Sequence, residues 1–386
     1  MKLLYLADIR FPMERANGIQ TVQTCHALAR RGVDVELMVR RSDARSDEEC
    51  LGFFGLPPHP NLTLRRVPGR GRLGFVTSSL KQLARKWDLI FTRDLLLADL
   101  MMRITATPIV YEAHTVSAVF AEERAELYGD GPSPKRSKLR RLDAREARVF
   151  RGAGGVVAIT EGLRRSLEER HGASAHTVVV PDGCSVPEEM PAYAAGRKIY
   201  YVGQLYPWKG VDVLIDAMAE LDDAELVIVG GLPGERDLDR LRARTVADGL
   251  DARVTFLGFV PPPALDAATN EAAAFVVPNL DSLTARLFTS PLKLFEAMAR
   301  GRPIVASDLP SVREILTTEV NALLVPPGDA GALADALRRV LDDGVLAGEL
   351  RAQAFADVHA YSWDRRADAL TGFMHAVLES HRRQSP

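Results

Sequence analysis

Short apolar runs alternate along the first half of the chain with longer segments whose apolar positions recur three and four residues apart. Residues 3–6, 33–39, 62–67, 89–91 and 108–111 read as buried strands. Residues 18–30, 75–83 and 95–102 read as helices between them, the first carrying Ile19, Val22, Ala27 and Leu28 on one face. After a Gly-Asp-Gly-Pro-Ser-Pro break at 129–134, the pattern predicts a basic helix over 135–150, a strand over 156–160 and a helix over 162–170. A strand over 178–180 follows and ends in Pro181-Asp182-Gly183. Strands separated by helices predict an α/β fold with a parallel sheet covered on both faces.

The alternation stops at a linker, residues 186–196, rich in Pro, Glu and Ala, and then restarts. Strands are predicted over 199–202, 225–229, 254–257 and 274–277, with helices over 211–221, 238–247 and 264–270. The stretch 290–314, SPLKLFEAMARGRPIVASDLPSVRE, reads as a loop, a short helix, a Gly-Arg-Pro turn, a buried strand and the entry to another helix. Leu292, Phe295, Met298 and Ala299 share the apolar face of that helix, and Lys293, Glu296 and Arg300 fall off it. Gly301 stands where a left-handed cap is wanted, and Pro303 blocks further helix. Residues 363–381 form a last amphipathic helix through Ala367, Leu370, Phe373, Met374 and Val377. The restart predicts two α/β domains, 1–190 and 197–360, followed by a closing helix, 361–386. A chain of 386 residues suits that division.

Composition narrows the function classes. With 47% hydrophobic and 26% charged residues and a formal net charge of −2, nothing draws the whole chain toward nucleic acid. Cys25, Cys50 and Cys184 lack metal-type or CxxC spacing, which points to a reduced compartment. The opening MKLLYLADIR has too short an apolar run for a signal peptide or membrane span, so a cytoplasmic location is expected. No HExxH or GxSxG motif is present, and Asp237-Leu238-Asp239 falls at a helix start without the strand context of a metal-binding pair. The basic helix KRSKLRRLDAREARVFR and the cluster Arg65, Arg66, Arg70 and Arg72 offer a surface to an anionic acceptor or lipid. Interspersed Asp143 and Glu146 favour a solvated, salt-bridged face instead.

Chemistry gathers at strand ends. Asn17-Gly18 is read as a turn at a helix N-terminus, where backbone donors face anions, although the full GxGxxG fingerprint is missing. Tyr111-Glu112-Ala113-His114 closes a buried strand at the carboxyl edge where open α/β sheets bind ligands. His114 there is a functional candidate, weighed against a purely structural histidine. Thr160-Glu161 and Asp182-Gly183 end two further strands on that edge. In YVGQLYPWKG, residues 201–210, a strand runs into a loop with Lys209 at its tip, and no Ser or Thr follows to make it a P-loop. Glu296 lies near a helix start, where a carboxylate can read hydroxyls while amides hold phosphate.

EAMARGRPIVAS, followed by Glu314, resembles the nucleotide-sugar site of the retaining family-4 glycosyltransferases, built from two facing Rossmann-like domains (the GT-B fold) with a C-terminal crossover helix. The resemblance covers nearly the whole chain and is strongest over 199–316. It implies that Lys209 meets the nucleotide diphosphate and that His114 lies near the donor sugar, as the two catalytic residues. It gives Glu296 the ribose hydroxyls, and Gly18, Gln204, Ser290, Leu292 and Lys293 further donor contacts, with Thr289 adding a backbone amide. Asn17, Glu112, Thr160, Glu161, Asp182, Gly183 and Asp281 become cleft-lining positions, Glu112 either facing the acceptor or lying in the wall.

Two positions depart from the family pattern. Gln204 replaces an arginine that accompanies the lysine, and Phe288 replaces the first of two glutamates, which normally contacts sugar hydroxyls. A deoxy or N-acetylated sugar, or substitution by Asp281, would accommodate the second change. The expected activity is metal-independent and retaining: a sugar moves from a nucleotide-diphosphate sugar to an unidentified acceptor hydroxyl, without a cofactor. A sugar-nucleotide epimerase and a non-catalytic sugar-nucleotide-binding homologue are the other readings. Base, sugar, acceptor and oligomeric state stay open.

Overall fold

A computed structural model describes residues 1–68, 71–128, 133–174, 176–193, 195–232 and 234–384. Arg70 of the basic cluster and most of the 129–134 break lie outside the described residues. The chain divides into two units. Unit 1 comprises Met1–Glu122, Pro134–Gly183 and the segment from Trp363 onward, and unit 2 comprises Glu123–Ser133 and Cys184–Ser362.

Unit 1 begins with β1 (Lys2–Phe11), α1 (Ala16–Arg30), β2 (Asp34–Arg41), α2 (Asp47–Gly52), β3 (Leu62–Val67) and α3 (Arg72–Gln82). It continues through β4 (Leu89–Thr92), α4 (Leu95–Ile104), β5 (Ile109–Ala113) and α5 (Ser117–Tyr128), whose residues from Glu123 count with unit 2. Then come α6 (Arg136–Gly152), β6 (Gly155–Ala158), α7 (Glu161–His171) and β7 (Thr177–Val179). The strands pair in parallel in the order β3-β2-β1-β4-β5-β6-β7. Every residue of β4, β5 and β6 is buried, as a strand with helices on both faces requires.

Unit 2 restarts with β8 (Lys198–Val202), α8 (Val211–Met218), β9 (Glu225–Val229), α9 (Arg236–Ala247), β10 (Val254–Gly258) and α10 (Leu265–Ala268). Next are β11 (Ala274–Val277), α11 (Leu283–Leu287), α12 (Leu292–Ala299), β12 (Ile304–Ser307), α13 (Pro310–Arg313) and β13 (Leu323–Val325). Helices α14 (Ala330–Asp342) and α15 (Gly344–Val358) close the unit, and α16 (Trp363–Gln384) belongs to unit 1, where it packs on α1. The parallel order is β10-β9-β8-β11-β12-β13.

In each sheet the order reverses once, between β1 and β4 in unit 1 and between β8 and β11 in unit 2. Connections leave a reversal in opposite directions, so a crevice opens beyond the carboxyl ends of the two strands. The loop carrying Lys209 follows β8, and the loop carrying Asp281 follows β11. Two close backbone approaches hold the unit 2 loops in place. A Cβ on Gly210 (φ +72°) would stand 1.8 Å from the Pro278 carbonyl oxygen, and one on Gly230 (φ +145°) would stand 1.7 Å from that of Gly203. Only glycine admits both contacts.

The alternation, the restart and the terminal helix match the periodicity. Several local expectations are corrected. Strand β1 runs to Phe11 rather than stopping at residue 6, because Asp8 finds Arg40 at 2.7 Å and the buried Ile9 and Phe11 keep the segment in the sheet. The helix expected over 264–270 shrinks to α10 after a 3-10 turn, Pro262–Ala264. Asn17-Gly18 is not a turn ahead of α1 but part of its first turn, with the Gly18 N–H donating to the Arg15 carbonyl at 2.9 Å. Helices α2, α5, α11, α14 and α15 and strand β13 had no counterpart in the sequence reading. Among the described residues, no helix is long and apolar enough to cross a membrane.

The close approach at Gly210 yields a test. Gly32, with φ +81° and nothing within 4 Å of an added Cβ, is the control. Gly32→Ala should cost about 1–2 kcal/mol of left-handed strain, and Gly210→Ala about 3 kcal/mol or more, because the backbone must also move. Denaturant midpoints of the two variants check this; equal shifts would contradict the packing at Pro278.

Candidate functional site

In unit 2, β8 gives way to a loop that ends in a single 3-10 turn, Pro207–Lys209, with proline fixing its first position. The Lys209 N–H donates to Tyr206 O at 2.8 Å, and the Leu280 N–H donates to Trp208 O at 2.8 Å, tying the two loops of the reversal together. The Tyr201 hydroxyl donates to Gln204 O at 2.5 Å from within the sheet. Lys209 is half-buried, its ammonium lies 3.8 Å from the Trp208 ring centroid, and no carboxylate among the described residues pairs with it. Loss of hydration with no anion in return pulls its pKa down to about 8. It is a cation below that pH and neutral above it.

Beyond β11, helix α11 is capped by Ser282, which accepts from the Ala285 N–H at 3.0 Å. Glu123 accepts from the Leu283 N–H at 2.8 Å, the Thr284 N–H at 3.0 Å and the Thr284 hydroxyl at 2.6 Å. Asp281 beside them is exposed, 3.7 Å from Arg286. Phe288 caps the C-terminal end of α11 and is only 4% exposed, so an aromatic ring of the core fills the position of the family's first glutamate. Ser290 is buried, and α12 starts at Leu292 without a side-chain cap. Lys293 and Glu296 lie one turn apart on α12, 3.0 Å from each other, with Arg300 3.6 Å from the same Glu296 oxygen. The Glu296 carboxylate is thus oriented by two cations of its own helix region.

In unit 1, the end of β5 enters a buried polar network. Glu112 has no exposure: one oxygen accepts from Gln20 Nε2 at 2.7 Å and lies 2.5 Å from His114 Nε2, and the other accepts from Arg366 at 2.5 Å. Gln20 in turn accepts from Arg93 at 2.8 Å. Arg366, on α16, also donates to Val180 O at 2.8 Å, Pro181 O at 2.6 Å and the Thr24 hydroxyl at 3.1 Å. Burial alone would raise the Glu112 pKa; Arg366, His114 and Arg93 outweigh it and hold the carboxyl well below its usual range. For His114, burial and then the Arg93 charge lower the pKa against the pull of Glu112, so the ring is neutral at pH 7. Removing either member of the Arg366–Glu112 pair would cost about 3–5 kcal/mol.

The other positions of unit 1 are spread along the same strand-end edge. Asn17 is half-buried and accepts weakly from the Thr21 hydroxyl at 3.4 Å. Gly18 is buried, its face closed by Met13. Thr160 is the N-cap of α7, accepting from the Leu163 N–H at 3.0 Å. Glu161 is engaged by Arg164 at 2.6 Å and Arg165 at 2.8 Å, which lower its pKa to about 2. Asp182 is buried 4.0 Å from Arg366, with burial raising its pKa, and Gly183 is buried beside it. Glu112 is an interior group, not one facing an acceptor. Sequence reasoning missed Gln20, Arg93 and Arg366. Only Arg366 left a signal: it stands four residues before Leu370, on the apolar stripe of α16.

Residues 17–183 match the glycosyl transferase 4-like domain, and residues 196–343 match the glycosyl transferases group 1. The chain belongs to the group 1, family-4-like glycosyltransferases. This glycosyltransferase is 34% identical over 237 residues to the phosphatidyl-myo-inositol mannosyltransferase of Mycobacterium leprae, a match spanning 58% of this chain and 60% of that one. It is 27% identical over 395 residues to the D-inositol 3-phosphate glycosyltransferase of Nocardia farcinica, spanning 94% of this chain and 84% of the relative. Among solved structures, sucrose-phosphate synthase from Thermosynechococcus elongatus superposes with a TM-score of 0.79 at 22% identity, covering 98% of this chain and 100% of that one. HepE from Anabaena, in complex with UDP-glucose, superposes with a TM-score of 0.76 at 20% identity, covering 97% and 100%. These likenesses carry the fold, which is GT-B.

The lysine of the glycosyltransferase's β8 loop makes the environment testable without a ligand. After reductive methylation of the lysines, the Lys209 methyl signals, assigned by their loss in Lys209→Arg, should titrate near pH 8. A midpoint near that of an exposed lysine, roughly 10.4, would show that the loop is hydrated.

Proposed function

We propose that this glycosyltransferase takes its sugar from a nucleoside-diphosphate sugar bound by unit 2 and transfers it, with retention and without a metal, to an acceptor hydroxyl. The observation that carries the proposal is Lys209: a poorly hydrated cation without a counter-ion among the described residues, at the sheet reversal of unit 2. A diphosphate supplies the missing charge, and the interaction strengthens as the sugar–phosphate bond breaks and negative charge collects on the leaving group. The N-terminal amides of α12 add to this field, and Glu296 is suited to the ribose hydroxyls. The departing diphosphate itself takes the acceptor proton on the face it leaves, so no side-chain nucleophile is required. His114, as a neutral ring, is the second residue we assign to the sugar.

Gln204 supplies a dipole where a second cation would stand, and the buried Phe288 removes the carboxylate that would read sugar hydroxyls. Both weaken the hold on a fully hydroxylated donor and favour a donor sugar with an apolar or substituted edge. The named relatives act on inositol-containing acceptors, and UDP-glucose occupies HepE, so a cyclitol acceptor is the first to try, with UDP-glucose set against deoxygenated and N-acetylated UDP-sugars. A non-catalytic binding role is the second reading, carried by the same two substitutions.

The test is thermal-shift and calorimetric titration of UDP-, GDP- and ADP-sugars without added metal, followed by assay of nucleotide release with acceptors. A charge-assisted contact of about 1.5–3 kcal/mol predicts that Lys209→Ala weakens the preferred nucleotide sugar roughly ten- to hundredfold. Affinity should be level below about pH 8 and decline above it as Lys209 loses its proton, because depressed folded-state protonation is restored only by the bound anion. Absence of binding across the panel would sink the donor assignment; binding without release under any acceptor would favour the second reading.

A further inference from the structure

Arg366 lies 254 positions from Glu112 in sequence, yet both side chains are buried, at 1% and 0% exposure, and they meet at 2.5 Å. Its other donors go to Val180 O, Pro181 O and Thr24 Oγ, so the guanidinium is held from three sides and cannot follow a moving carboxylate. Glu112 in turn cannot rotate, because Gln20 occupies the oxygen it shares with His114, and Gln20 is itself oriented by Arg93. The amide must give its oxygen to the Arg93 cation, which leaves its N–H for Glu112. An ionised Glu112 oxygen only accepts, so the ring nitrogen 2.5 Å from it must carry a hydrogen.

We infer that Arg366 is a positioning residue for His114: by fixing Glu112 as an oriented carboxylate it locks the ring in the Nε2–H tautomer and leaves Nδ1 as its hydrogen-bond acceptor. The inference rests on the proposed part of His114 in sugar transfer, but its content is a protonation pattern that exists without substrate. A locked tautomer offers a substrate hydroxyl one fixed acceptor and excludes the donor form. The helix that supplies Arg366 follows the whole of unit 2 in the chain. The His114 corner of unit 1 is therefore complete only when α16 is in place.

The groups around the pair decide what happens when Arg366 is removed. Tyr5 of β1, Thr24 and Cys25 of α1, Arg93 after β4 and Asp182 after β7 surround Glu112 and His114. Arg93 is committed to Gln20, so Glu112 would keep no direct cationic donor and burial would favour its neutral acid. A protonated Glu112 donates its O–H to His114 Nε2, and the ring hydrogen then belongs on Nδ1. The tautomer inverts without any change in the ring's total charge.

Long-range proton–nitrogen NMR spectra of the full chain, labelled with 15N in the histidine rings and assigned by His114→Asn, read this directly. Wild type should show a neutral His114 with Nε2 protonated at pH 7.5. Arg366→Met should show the Nδ1–H form, and Arg366→Lys, which keeps the cation, should restore most of the wild-type pattern. Glu112→Gln covers the case in which Arg366→Met fails to fold. Combined with Gln20→Leu, which removes the N–H donated to the ring-facing Glu112 oxygen, its carbonyl faces Arg366 and its amide N–H faces the ring, so it too should give the Nδ1–H form. A wild-type ring with Nδ1 protonated, or folded Arg366→Met and combined Glu112→Gln and Gln20→Leu proteins that both keep the wild-type pattern, would overturn the inference. The spectra do not depend on turnover. A chain that transfers no sugar but shows these patterns would refute the functional reading alone.

Discussion

A strand packed between helices on both faces has no room for an unpaired polar group, so a parallel sheet expels its chemistry to its ends. Both units of this protein follow from that constraint. Strands β4, β5, β6, β11 and β12 are buried along their whole length, and the reactive side chains begin where they stop. Reversal of the strand order then selects which ends are accessible. In unit 2 the selection is completed by glycine, since Gly210 and Gly230 let neighbouring loops approach to distances that any side chain would prevent.

The two units set the charge state of their key groups in opposite ways. In unit 1 the buried charges at the end of β5 are answered within the protein: Arg366 answers Glu112, Gln20 relays Arg93, and His114 stays neutral between them. Such a network is costly to break, and its gain is a fixed geometry. In unit 2, Lys209 is left without an answering carboxylate among the described residues, and its depressed pKa records the poor hydration.

The two departures from the family pattern acquire a physical meaning in the fold. Phe288 is a core residue at the end of α11, so the change from acid to aromatic removes a potential hydrogen-bonding group and adds packing in one step. Gln204 sits in the β8 loop whose backbone is tied to Tyr201, so the loop can keep its course with either a cation or an amide at that position. Both changes are accommodated without asking the scaffold to move.

The sequence by itself determined the alternation of strands and helices, its restart near residue 198, the terminal helix, the loops that bear Lys209 and His114 and the helix that bears Glu296. Each of these is a local property, written in apolar spacing, in glycine and proline at element ends, and in a short motif. Segments such as α11 and α13 were illegible or indistinct because helices of four or five residues have too few positions to show a period. The interior place of Glu112 and its ties to Gln20, Arg93 and Arg366 were decided by tertiary structure alone. They join side chains up to 254 positions apart, and nothing in the spacing of either partner announces the other. The reduced pKa of Lys209 belongs to the same class, since it arises from water that the folded loops exclude and not from any neighbour along the chain.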